Sequence, residues 1–327
     1  MKPLRSTWAL LFAFACATPR PSQAPNAAFE APAAERSRPA EPRALLWEVR
    51  RPGSAHKLYL TGSIHLAQPD QISFPPSLEA AFAGASALVV ELDTDRADKR
   101  QMQALVMELG LYRPPGPGLS GHLSEETLAL LPAALARVGL KPANVEPMRP
   151  WLLFVTLTVL ELQKAGFSEK GGIDHLLLAR ARGTKRIVEL ETAEDQLRSL
   201  ALVAPEDADL ALREVIQTGP LMSVSFAQMI TAWEGGNADA LAEKIFSEVN
   251  DPRFAPMYEA LYFQRNRAMA EKLAALVDGP QTHFAVVGAG HVVGPQGIPA
   301  LLAKQGFEVR QLPRAGAVEP AAGAVAR

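Results

Sequence analysis

The chain has 327 residues and a single cysteine, Cys16. Without a second cysteine it cannot close an internal disulfide, so its stability has to come from a buried core. Its length is sufficient to build one. An excess of one charge is also missing: 33 Lys and Arg face 35 Asp and Glu, a net charge of −2. That balance supplies no long-range attraction to nucleic acid or anionic lipid, and no nucleic-acid partner is expected. Two apolar stretches, Trp8–Ala15 and Pro150–Gln163, are shorter than the ~20 residues a membrane-spanning helix requires. No tandem repeat with a period of about 20–50 residues is visible.

The two ends carry little that folds. Lys2 and Arg5, the apolar stretch Trp8–Ala15 and the small-x-small pattern Ala13-Phe14-Ala15 before Cys16 read as an export signal over residues 1–16. The position of Cys16 resembles that of a lipoprotein cysteine, although Ala13 stands where Leu is usual. This leads to the expectation of an exported, cell-envelope protein, an outer-membrane lipoprotein facing the periplasm or exterior. Its one attachment to a membrane would be a lipid on Cys16. Residues 17–43, rich in Ala, Pro, Ser and Arg, read as a disordered tether, and residues 314–327, rich in Ala and Gly, as a flexible tail. The folded domain is expected over residues 44–313.

Within that domain, strand and helix patterns alternate. Ala44–Arg51 and His56–Thr61 flank a Pro-Gly-Ser turn and predict a hairpin. Further strands are expected at 88–90, 185–190, 282–287 and 307–312. Helices are expected at 77–86, 95–110, 150–163, 173–182 and 294–305, with Ser124 and Thr192 as N-caps. Residues 205–279 read as mostly helical, in several pieces. The fold class is therefore α/β, a β-sheet flanked by helices with a long, mostly helical insertion.

Two segments echo each other. Leu58–His65 and Phe284–His291 are each an apolar strand run ending in Gly-x-x-His. The spacing alone is weak, and the strand before each copy makes it informative. Glycine permits a sharp turn at a strand end, and ligand sites of α/β sheets lie just beyond strand ends. A third run ends at Glu91 and Asp93, whose period-two spacing puts them on one face of an extended chain. Two imidazoles and a carboxylate are a familiar environment for zinc, cobalt, manganese or iron, and three protein ligands leave one position open for water. His283 is expected to be an ordinary strand residue. His56, His122 and His175 have no partner pattern.

Leu60–His65, Val89–Asp93, Gly172-Ile173-Asp174, Leu190-Glu191-Thr192, Arg265-Asn266 and Val287–His291 with Gly294 and Gly297 together resemble the TraB/GumN proteins. That family is grouped with the Tiki metalloproteases and, more distantly, with haem-binding ChaN and erythromycin esterase-like proteins. The resemblance runs from about Tyr59 to Leu312. It implies a divalent metal on His65 and His291 with a catalytic glutamate, Glu91, at the centre. The sequence leaves open whether Glu91 is a metal ligand or a general base. By the same resemblance Arg265 and Asn266 contact an oxyanion or a carboxylate, while Asp174, Glu191 and Asp93 orient the ligand histidines. The expected function is a metal-dependent hydrolase acting on a peptide or protein. The alternative is an exported protein that binds haem or a peptide in the same pocket without hydrolysis.

Overall fold

The computed structural model describes residues 41–315. The expected signal segment with Cys16, residues 17–40 of the expected tether and most of the expected tail lie outside the described residues. Six strands form one sheet: β1 (Arg43–Arg50), β2 (Leu58–Ser63), β3 (Ala87–Val90), β4 (Arg186–Glu189), β5 (His283–Gly288) and β6 (Glu308–Pro313). Their order is β4-β3-β5-β2-β1-β6. The four strands β4, β3, β5 and β2 run parallel, and β1 is antiparallel to both β2 and β6. The central strands β2, β3 and β5 are buried throughout. Such burial on both faces explains why they read as continuous apolar runs rather than alternating ones.

The hairpin forms where turn chemistry places it. Ser54 N–H closes the turn onto the Arg51 carbonyl at 3.0 Å, and Trp47 pairs with Leu60 in register. Ser124 caps its helix through Thr127 N–H, and Thr192 forms a reciprocal capping box with Asp195. The apolar segment Pro150–Lys164 is a helix within the protein, with Leu153 and Val159 at 0% exposure. It packs against the helix Pro205–Thr218 of the insertion. No helix among the described residues is long and apolar enough to cross a membrane.

Several boundaries differ from expectation. The helix expected from residue 95 starts at Lys99, because Asp98 caps it by accepting from Arg100 N–H and Gln101 N–H. The helix expected from residue 294 starts at Ile298. Gly294 turns the chain with φ +77°, and Pro299 follows at the favoured first turn of the helix. The outer edges of the domain also extend further. Arg43 opens β1, and Arg314 N–H bonds the Pro42 carbonyl at 2.7 Å, so these residues belong to the fold and not to a tether or tail.

Candidate functional site

The four parallel strands deliver their carboxyl ends to one place. His65 lies two residues beyond β2, Glu91 one beyond β3, Glu191 two beyond β4 and His291 three beyond β5. Close packing fixes the turns after β2 and β5. A Cβ on Gly62 would lie 2.8 Å from Val292 Cγ2 and 2.9 Å from Ala289 Cα, and one on Gly290 would lie 2.3 Å from Tyr262 Cε1. Glycine is therefore required by contact, not by an unusual dihedral angle. The Trp233 indole N–H donates to the Gly62 carbonyl at 2.6 Å and ties the end of β2 to the helical insertion.

His291 is 3% exposed and its orientation is determined. Asn266 Nδ2 donates to the Gln296 carbonyl at 2.7 Å, which turns Asn266 Oδ1 toward His291 Nδ1, 2.5 Å away. The proton therefore sits on Nδ1 and the lone pair on Nε2. Burial, with Arg265 adding to it, pushes the imidazole well below its usual pKa, so it is neutral. Nε2 lies 3.6 Å from Glu91 Oε1. A lone pair thus faces a carboxylate oxygen with no proton between them.

Glu91 is held by protein groups. Gly288 N–H donates to Oε1, while Arg265 Nη2 and Gln196 Nε2 donate to Oε2 at 2.9 and 3.2 Å. Arg265 also grips Glu191, through Nε at 2.9 Å and Nη2 at 2.6 Å. One guanidinium between two half-buried carboxylates leaves one formal negative charge in a poorly hydrated place, where a cation is favoured. The chain Glu259–Phe263 winds as a π turn immediately before the helix Gln264–Val277. An extra residue in that turn rotates the helix after it and brings Arg265 and Asn266 to the same site.

His65 forms the other side. Its Nδ1 lies 3.1 Å from Asp174 Oδ2. Burial would lower the His65 pKa, but the Asp174 carboxylate more than offsets this and raises it. Burial likewise opposes ionisation of Asp174, yet the charge of His65 and the Ser63 hydroxyl, 2.6 Å away, carry it down to about 2. Glu169, in the short turn before Gly172, is pushed up to about 7 by burial and by Asp174.

The roles are distributed differently from expectation. Asn266, expected at an oxyanion or carboxylate, orients His291. Glu191, expected behind a histidine, instead pairs with Arg265. Asp93 takes no part, because the chain leaves the extended conformation after Val90. Its carboxylate is engaged on both oxygens by Arg182, which also bonds Asp95 at 3.1 Å. Asp174 alone of the expected orienting carboxylates faces a histidine. Gln196, Ser63, Trp233 and Glu169 carry no sequence motif that marks them, although Ser63 sits inside the first Gly-x-x-His.

Among the described residues, no three His, Cys, Asp or Glu side chains are gathered into a metal cage. Glu91 is engaged by Gly288 N–H, Arg265 and Gln196. The donor chemistry of the two imidazoles nevertheless fits a divalent cation. His291 presents an unprotonated Nε2 to an anionic oxygen, and a carboxylate or an amide supports the Nδ1 of each ring.

A model of the TraB/PrgY/gumN family matches residues 45–311. The chain belongs to this family. A protein named as a metalloprotease TIKI homologue from Amphimedon queenslandica is 25% identical over 146 residues, covering 41% of this chain and 26% of that relative. This TraB/PrgY/gumN protein thus spans about a quarter of the length of that relative. No solved structure matches. In this family member the four parallel strand ends bring His65, Glu91, Glu191 and His291 to one edge of the sheet.

Proposed function

We propose that this TraB/PrgY/gumN protein is a metal-dependent hydrolase of peptides, with His65 and His291 holding the cation and Glu91 acting beside it. The observation that carries this reading is the His291–Glu91 pair: a fixed, neutral imidazole lone pair directed at a carboxylate 3.6 Å away. A divalent cation bound by the two imidazoles supplies Lewis acidity toward a substrate carbonyl and lowers the pKa of water.

The remaining chemistry belongs to the chain. Glu91 is held by Gly288 N–H and Arg265, so its Oε1 stays beside the His291 ring edge. From that position it takes a proton from an attacking water and returns it to the leaving amine, the work of a general base and acid. Arg265 holds Glu91 and Glu191 together and keeps the site polar and preorganised. Three protein donors fix Glu91 and leave one acceptor position on Oε1, beside His291, and that open position supports the base role.

Glu91→Gln separates these roles. It is nearly isosteric and removes the basicity. Metal content measured by plasma mass spectrometry should stay at the wild-type level while peptide turnover falls roughly 10²–10⁴-fold. Loss of metal together with turnover would make Glu91 a ligand. Undiminished turnover would refute both roles.

A further inference from the structure

Gln196 lies on the helix Ala193–Ala201 and is 7% exposed. Its Nε2 donates to Glu91 Oε2 at 3.2 Å and to Glu191 Oε2 at 3.0 Å. Arg265 Nη2 donates to the same two oxygens, at 2.9 and 2.6 Å. Each of these nitrogens carries two hydrogens, and each oxygen has two lone pairs. The four hydrogen bonds therefore close a ring in which every hydrogen of the two nitrogens and every lone pair of the two oxygens is used. Backbone pairing holds the two carboxylates side by side, since Glu191 N–H donates to the Glu91 carbonyl at 2.9 Å. The capping box anchors the first turn of the helix just before Gln196: the Thr192 hydroxyl donates to Asp195 Oδ2 at 2.7 Å and accepts from Asp195 N–H at 3.1 Å.

The other end of the same amide is left unsatisfied. Gln196 Oε1 is buried and has no hydrogen-bond partner among the described residues. A buried acceptor without a donor is unfavourable. Turning the amide over would be worse, because its carbonyl would then face two carboxylate oxygens. An apolar side chain of the same length would leave no orphaned atom, so packing does not explain a glutamine here, whereas its two N–H groups do. We propose that Gln196 is a positioning residue of the site: by closing the ring it saturates Glu91 Oε2 and fixes the carboxylate so that only Oε1 stays open, 3.6 Å from His291 Nε2. The proposal rests on the hydrolase reading. The proton that Glu91 takes from the attacking water and returns to the leaving amine then passes through Oε1 alone, at one fixed place beside His291.

The test is Gln196→Met in the full chain, which keeps length and bulk and removes both N–H groups. Its kcat for peptide cleavage with added manganese, cobalt or zinc should fall roughly 10–100-fold while KM changes little. In a Glu91→Gln background the same substitution should lower turnover no further, because its effect passes through that carboxylate. Gln196→Glu, nearly the same in shape and lacking the amide donors, serves if the methionine variant fails to fold. An unchanged kcat, or a loss that adds in full to that of Glu91→Gln, would overturn the proposal and leave the hydrolase reading intact. Crystal structures of wild type and variant give a second measure that needs no activity: Glu91 should be displaced or take more than one orientation in the variant. If the wild type cuts no peptide, the hydrolase reading fails, and these structures alone judge Gln196. A displaced Glu91 then supports positioning, and a Glu91 in its wild-type place overturns it.

Discussion

At His291 one amide decides the chemistry. Asn266 accepts the Nδ1 proton and leaves Nε2 as the only lone pair aimed at Glu91. Asn266→Ala should therefore weaken metal binding or activity by about 10–100-fold. Titration with a chelator in competition would measure the loss, and wild-type affinity in the variant would contradict it. Asp93 serves stability instead. Burial alone would raise its pKa, but Arg182 more than offsets this and holds it below the ordinary 3.8. Its contribution is complete above that ordinary value and is lost as pH falls through the lower folded one. Arg182→Met should cost roughly 2–3 kcal/mol in denaturant unfolding, discounted because Arg182 is 26% exposed, with activity per folded molecule unchanged. His283 works in the opposite sense. Burial, aided by Arg186, lowers its pKa from 6.5, and neither ring nitrogen has a hydrogen-bond partner among the described groups. Below about pH 6.5 the unfolded chain takes up a proton that the folded one resists, so stability should fall on acidification. In His283→Gln, unfolding curves at pH 7.5 and 5.5 should differ less than in the wild type. At this scale the sequence was only partly legible. Gly-x-x-His also occurs at Gly53–His56 and Gly172–His175, and only the strand before His65 and His291 separates them from these copies. The exchange of roles between Asn266 and Glu191 depends on helix rotation, which residue spacing does not encode.

At the scale of elements, position and type were readable where periodicity or caps were strong. The hairpin, the capped helices at Ser124 and Thr192 and the strands that end at the site are examples. Boundaries shifted where a local signal outweighed the pattern, as with Asp98 ahead of Lys99 and Gly297-Ile298-Pro299 ahead of the last helix. The π turn at Glu259–Phe263 was not legible, because its sequence resembles that of any amphipathic helix. The helix Pro150–Lys164 packs against the insertion helix Pro205–Thr218. Leu153→Ala, at 0% exposure, should cost about 2–5 kcal/mol in unfolding free energy. Metal content of the folded fraction should not change. A variant of wild-type stability would mean that the site collapses around the missing methyls more completely than this packing allows.

At the scale of the whole molecule, a four-strand parallel core gathers side chains from positions 65 to 291 at one edge. The antiparallel strands β1 and β6 extend the sheet on the far side of β2. The helical insertion contributes Trp233, Arg265 and Asn266, so it is part of the site and not an appendage. Attachment through Cys16 is a separate proposal: globomycin should cause a precursor to accumulate, and unchanged processing with a mature N-terminus lacking Cys16 would refute it. The central claim, that the converged strand ends form a metal-dependent hydrolytic centre, is tested most directly by peptide cleavage with purified protein. Wild type, His65→Ala and His291→Ala would be compared with and without chelator. Cleavage that requires added manganese, cobalt or zinc and disappears in both variants is the predicted result. Cleavage that persists in both variants or in the presence of chelator, or none by a folded, metal-loaded wild type, would contradict it.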